Sequence, residues 1–199
     1  MKYFFVPLCI NVLFIMAKKK VDTDKKNIDN SEQSATINGE GSVTVDWKDI
    51  SVQKAKPLSH GGFYAFPEND ILNTFILKLK PLKGYYDVAM HGTPTMACFG
   101  TKDRNMTARE LATMIKHRDD YKGGKVRLIS CSTGAKPNDD DLCFAEELAN
   151  ALGEIVNAPT DVILFSSDGT FRVGMDGKGE MKDYHPNERR LIGKHVVHK

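Results

Sequence analysis

Cysteine is scarce in this chain: four residues in 199, at Cys9, Cys98, Cys131 and Cys143. That is too few for a disulfide-built scaffold, so a conventional hydrophobic core must hold the fold. An excess of one charge is lacking as well. Lys and Arg number 28 against 26 Asp and Glu, a formal net charge of +2. Nucleic-acid binders carry a clustered basic excess, so bulk electrostatics argues for no nucleic-acid partner. Hydrophobic residues make up 41% and charged residues 27%, a balance that excludes both a disordered chain and a polytopic membrane protein. There is no internal repeat, no GxSxG nucleophile elbow to partner His60-Gly61-Gly62, and no CxxC. The histidines at 60, 117, 185, 195 and 198 show no zinc spacing, so no metal and no cofactor is expected. At roughly 100–200 residues per domain, the length leaves room for one domain and short appendages.

The first twenty residues stand apart. An apolar run from Tyr3 to Ala17, broken by Pro7 and Asn11, lies between Lys2 and Lys18-Lys19-Lys20. As a helix at 1.5 Å per residue it reaches about 22 Å, short of the roughly 30 Å bilayer core. That length fits a secretory h-region. The absence of an A-x-A site and the three following lysines fit an anchor that holds the downstream chain in the cytoplasm. Residues 1–20 are therefore expected to be a signal peptide or a membrane anchor, with membrane association through residues 3–17. The protein is then secreted or membrane-anchored. Residues 21–45 are polar, too poor in large apolar side chains to offset their ordering entropy, and read as a flexible linker. Order is expected to begin with a short strand at Val43–Ile50, and residues 46–199 are expected to form the domain.

From about residue 60 the pattern is α/β. Ile71–Leu79 suits a helix or a strand. Tyr85–Met90 reads as a strand running into a loop at His91-Gly92. Thr107, with Glu110 three residues on, predicts a capping box before a helix over Ala108–His117. Lys125–Ser130 is a second strand, and Asp141–Leu152 an amphipathic helix closed by Gly153. Ile155–Val156 and Val162–Ser166 are further strands, Ser167-Asp168-Gly169 is a turn, and a Gly-rich turn spans 174–179. Strands alternating with helices imply a mainly parallel sheet flanked by helices. Ligands in such folds gather at the carboxyl ends of the strands, where both His91 and Cys131 fall. A cysteine is a useful nucleophile only as thiolate and needs a nearby imidazole or positive field. If the two strands are neighbours, about 4.8 Å apart, side chains at their ends can share a substrate. The bland alternative is a buried small thiol and a histidine in a loop.

The segments YDVAMHG, ending at Gly92, and VRLISCSTG, residues 126–134, resemble the two-strand signature of the caspase-like (clan CD) cysteine peptidases, which place His-Gly after one hydrophobic strand and the nucleophilic Cys after the next. The longer run through FAEELANALG and NAPTD resembles the caspase-like modules of bacterial surface proteins and polymorphic toxins. The resemblance covers about residues 85–172. It implies a three-layer caspase-like sandwich and a peptidase acting on a polypeptide substrate. Cys131 would attack the carbonyl carbon, His91 would protonate the leaving amine, and the backbone N–H groups of Gly92 and Cys131 would form the oxyanion hole. No third catalytic residue is required. The same resemblance fits a non-catalytic caspase-like binding module of an exported toxin or surface protein.

Ser130 and Asp161 are the candidates for a substrate pocket. An acidic residue at position 161 would favour Arg or Lys at the cleavage position. Asp139-Asp140-Asp141 fits a solvated loop leading to a helix N-terminus. A phosphatase loop after Cys131 would want an Arg to grip phosphoryl oxygens, and Cys-Ser-Thr-Gly-Ala-Lys-Pro offers none. A Cys131–Cys143 disulfide in an exported domain would remove the nucleophile.

Overall fold

The computed structural model describes residues 36–37, 43–44, 55–100 and 105–187. Thr36–Ile37 (β1) and Val43–Thr44 (β2) pair antiparallel, Thr36 opposite Thr44 and Ile37 opposite Val43, in a unit separate from the main one. This ladder lies within the stretch expected to be linker. The expected targeting segment 1–20, the rest of 21–45, most of the expected strand 43–50 and the tail from residue 189 lie outside the described residues.

The main unit runs through β3 (Lys56–Pro57), β4 (Gly62–Tyr64), α1 (Leu72–Ile76), β5 (Tyr85–Ala89), β6 (His91–Gly92), β7 (Ala97–Cys98), β8 (Asn105–Met106), α2 (Ala108–Lys116), β9 (Lys125–Ile129), α3 (Phe144–Leu152), β10 (Val156–Pro159), β11 (Ile163–Phe165), β12 (Phe171–Val173) and β13 (Met181–Tyr184). The sheet order is β13-β10-β9-β5-β4-β3. The four inner strands are parallel, as the alternation of elements predicts, with Tyr64 beside Ala89, Ala89 beside Ile129 and Val126 beside Val156. The two edges, β3 and β13, run antiparallel to their neighbours. The fold is a mixed α/β arrangement with parallel strands at its centre.

Side-chain alternation decides what each face carries. Tyr86, Val88, Val126, Leu128, Val156 and Ala158 face one way, into a cluster with Leu111, Met114 and Ile115 of α2 and Phe144 and Leu148 of α3. Tyr64, Ala89 and Ile129 face the other way, against Phe75 and Ile76 of α1 and Phe165 of β11. Each large apolar side chain fully buried in these clusters contributes about 1.5–3 kcal/mol. The second face also holds a charge pair. Asp87 and Arg127 are registered neighbours on β5 and β9, both buried. Arg127 donates from Nε to Asp87 Oδ1 at 2.7 Å and from Nη2 to Oδ2 at 2.6 Å, and Nη2 also reaches the Lys80 carbonyl. His60 Nε2 lies 2.8 Å from the same Asp87 Oδ2, which gives the His60-Gly61 turn a structural use.

The helix ends follow from their caps. Thr107 Oγ1 accepts the Glu110 N–H, and Glu110 Oε2 accepts the Thr107 N–H at 2.7 Å, completing the expected capping box of α2. The ambiguous run 71–79 resolves as the short helix α1. Helix α3 begins at Phe144, three residues later than the sequence predicts. Its opening N–H groups are taken by carbonyls from elsewhere in the chain, Phe144 by Pro94 and Ala145 by Thr133, while Asp139, Asp140, Asp141 and Leu142 stay exposed in the preceding loop. Gly153, at φ 76°, ends it as predicted.

Candidate active site at the ends of β5 and β9

Register brings the two proposed catalytic residues to the same edge. Ala89 and Ile129 are the last paired residues of β5 and β9, and the Met90 N–H donates to the Ile129 carbonyl at 3.2 Å. His91 and Cys131 each stand two residues beyond that pair, on adjacent parallel strands, where ligands of open α/β sheets gather.

Beyond Ser130 the chain turns sharply. The Ser130 carbonyl accepts the Thr133 hydroxyl at 2.8 Å, and the Ala135 N–H closes onto the Ser132 carbonyl. Ser132 adopts φ 56°, and among the described residues it alone is a non-glycine with positive φ. A non-glycine residue in this region is uncommon and persists where its surroundings hold it. Here the Ser132 N–H is held by the Asp161 carbonyl at 3.0 Å and the Gly134 N–H by the Pro159 carbonyl at 2.9 Å. One strand-edge segment therefore runs alongside the cysteine, and two residues past Asp161 the Ile163 N–H points at Cys131 Sγ, 3.4 Å away. An N–H donated to sulfur is accepted more strongly by a thiolate than by a thiol.

His91 and Gly92 form β6 rather than the expected open loop. The chain reverses at Thr93–Met96, where the Thr93 N–H bonds the Met96 carbonyl, and returns as β7 with His91 opposite Cys98 and Gly92 opposite Ala97. Strands of two residues leave no readable periodicity, so this ladder has no sequence signal. Gly92 is closely packed: a β-carbon there would collide with Ser130 Oγ and with Thr133 Cγ2. The turn that carries Cys131 is thus seated on the glycine that follows His91.

Asp70, whose sequence context marks it only as a helix cap, joins His91 at this edge. His91 Nε2 lies 2.6 Å from Asp70 Oδ2, with side-chain exposures of 14% and 4%. Asp70 precedes α1, and its other oxygen, Oδ1, accepts the Leu72 N–H at 2.9 Å. The Phe66 ring stands edge-on to the imidazole, 5.2 Å between centroids. An Asp two residues before an apolar helix is legible as a local cap; its long-range use on His91 is not.

Of the other candidates, Ser130 is buried and its Oγ has no hydrogen-bond partner, so its side chain lies beneath the turn rather than on an open surface. Asp161 sits beside the turn, half-buried, with Oδ1 accepting the Val162 N–H. Cys143 is a thiol, as are Cys98 and Cys131. Burial pushes the Cys143 thiol up to about 11, which makes it inert at neutral pH. Asp168 closes the turn before β12 by accepting from Thr170, and that hydroxyl bond holds its carboxyl below the ordinary range. Among the described residues no three His, Cys, Asp or Glu side chains are arranged to hold a metal ion. A groove of about 890 Å³ between α2 and α3, lined by Arg109, Lys116, Leu142 and Asn150, includes none of these site residues.

No solved structure matches this chain significantly. A 74-residue stretch, 37% of the chain, is 36% identical to the uncharacterized protein YibJ of Escherichia coli (strain K12), and covers 31% of that protein's length. The chain thus spans under a third of the curated relative it matches. The model of the family DUF8616, a domain of unknown function, matches residues 62–173, the stretch from β4 through β12 that holds Asp70, His91, Cys131 and Asp161. The chain belongs to the DUF8616 family.

Proposed function

We propose that this domain is a cysteine hydrolase of the caspase-like kind, a three-layer peptidase fold that cleaves a polypeptide through Cys131 and His91. The observation that carries the reading is the shared register: His91 and Cys131 both follow the Ala89–Ile129 pair by two residues on adjacent parallel strands. The chemistry balances with groups of this chain alone. The Cys131 thiol passes its proton to His91, and the sulfur attacks the substrate carbonyl carbon to form a C–S bond and an oxyanion. Backbone N–H groups at Gly92 and Cys131 are the donors proposed for that oxyanion, each worth about 3–4 kcal/mol in such sites. His91 then protonates the leaving amine as the C–N bond breaks. Water, deprotonated by His91, hydrolyses the thioester and restores the thiol. Asp161, beside the turn, would favour a basic residue at the cleavage position. Delivery to the outside or to a membrane by residues 1–20 belongs to the same reading, and cell fractionation of the full chain tests it.

The experiment is the rate of iodoacetamide modification of each thiol against pH, in the full chain and in His91→Ala. The expected result is that Cys131 reacts with an apparent pKa well below the free value of about 8.5, faster than Cys98 or Cys143, and that His91→Ala removes the difference. If Cys131 reacts no faster than the other two, the hydrolase reading falls, and a non-catalytic binding module takes its place.

A further inference from the structure

We infer that Asp70 is a positioning residue that orients His91, so that Nε2 carries a proton bound to Asp70 and Nδ1 is the nitrogen that exchanges protons with Cys131 and the leaving group. This rests on the cysteine-hydrolase reading above and adds to it a third member that the resemblance to caspase-like peptidases does not require.

The argument is one of donors and acceptors. An ionised carboxylate only accepts hydrogen bonds, so the ring nitrogen 2.6 Å from Asp70 Oδ2 must be an N–H. In the neutral ring the proton is then on Nε2, and the basic lone pair is on Nδ1. When Nδ1 takes the thiol proton, the resulting imidazolium lies against a carboxylate whose side chain is 4% exposed, where water screens the pair little. Asp70 is itself held by several hydrogen bonds. Its Oδ1 holds the Leu72 N–H, its N–H reaches the Pro67 carbonyl at 3.0 Å, and its carbonyl accepts from the Asn73 backbone and side chain. The imidazole is held on another side by Phe66, edge-on at an interplanar angle of 72°. Cys98 stands opposite His91 across β6 and β7. A capping role alone would need only Oδ1; the second oxygen, aimed at His91, is what a cap does not explain.

Asp70→Asn separates the two roles. The amide oxygen can still accept the Leu72 N–H, but the amide NH2 then faces Nε2, which must accept. The proton moves to Nδ1, and the base points the wrong way, the mechanism by which the equivalent substitution disables serine-protease triads. The test uses the full chain as wild type, Asp70→Asn and His91→Ala. It reads the His91 tautomer by long-range 15N–1H correlation and Cys131 alkylation by iodoacetamide against pH. Expected are an Nε2–H tautomer in the wild type and Nδ1–H in Asp70→Asn. The onset of Cys131 reactivity should rise by about one pH unit, a tenfold loss of rate below it. If His91→Ala slows Cys131 and Asp70→Asn changes neither tautomer nor rate, the positioning role is overturned and the hydrolase reading stands. If His91→Ala leaves Cys131 unchanged, both fall. Should Asp70→Asn fail to fold, the wild type decides: an Nδ1–H tautomer there overturns the inference.

Discussion

Gly92 packs its Cα against Ser130, so closely that a β-carbon would strike the Ser130 hydroxyl oxygen. The residue after the histidine and the residue before the cysteine are thereby locked together, and the spacing of the site depends on a missing side chain. Gly92→Ala forces the Cys131 turn away from β6. Overpacking of this kind costs about 1–3 kcal/mol. Urea unfolding should show that loss, and iodoacetamide should show a slower Cys131 in the fraction that remains folded.

Arg127 and Asp87 are a buried pair whose halves are not worth the same alone as together. Arg127→Met leaves a carboxylate inside the sheet with His60 as its remaining side-chain partner among the described residues, and breaking such a pair costs about 3–5 kcal/mol. Arg127→Met combined with Asp87→Leu removes both charges and should recover much of that loss. Denaturant midpoints of the two variants check the difference; equal midpoints would mean that the pair contributes nothing specific.

Cys143 makes stability fall at high pH. Burial raises its thiol from the ordinary 9.0 to about 11 in the folded chain. Below pH 9 both states are protonated and its contribution is constant. Between pH 9 and 11 the unfolded chain ionises while the folded chain does not, so the contribution is lost as pH rises. Urea midpoints measured from pH 8 to 10 should decline in the wild type and decline less in Cys143→Ala.

The capping box of α2 should respond as an exposed cap does. Thr107→Ala removes both the acceptor for the Glu110 N–H and the hydroxyl bond to Glu110 Oε2, and is expected to cost about 1 kcal/mol. Thr107→Ser keeps the oxygen and should cost little. A thermal melt of each variant separates them.

What the sequence disclosed and what it withheld divide along the range of the interactions involved. The parallel centre was legible, because Tyr85–Ala89 and Lys125–Ile129 are apolar runs separated by a capped helix whose signals, Thr107 and Glu110, are local. The strand-end placement of His91 and Cys131 followed from the same pattern. Asp70 was not legible as a partner of His91, because 21 residues separate them and its local use as a cap already accounts for it. The late start of α3 was hidden for a similar reason: Pro94 and Thr133 supply the carbonyls that cap its first turn. The ladder of β6 with β7 was invisible because two residues carry no period.

The N–H that faces the sulfur comes from Ile163, while the carboxylate that faces the imidazole comes from Asp70. Synthesis runs from the N-terminus, so Cys131 is made before the strand that serves it. A chain stopped before Asp161 carries the cysteine without the Ile163 donor and without the Asp161 carbonyl that holds Ser132 in its unusual conformation. Until translation has passed that strand, the sulfur of Cys131 lacks the N–H that faces it in the completed domain.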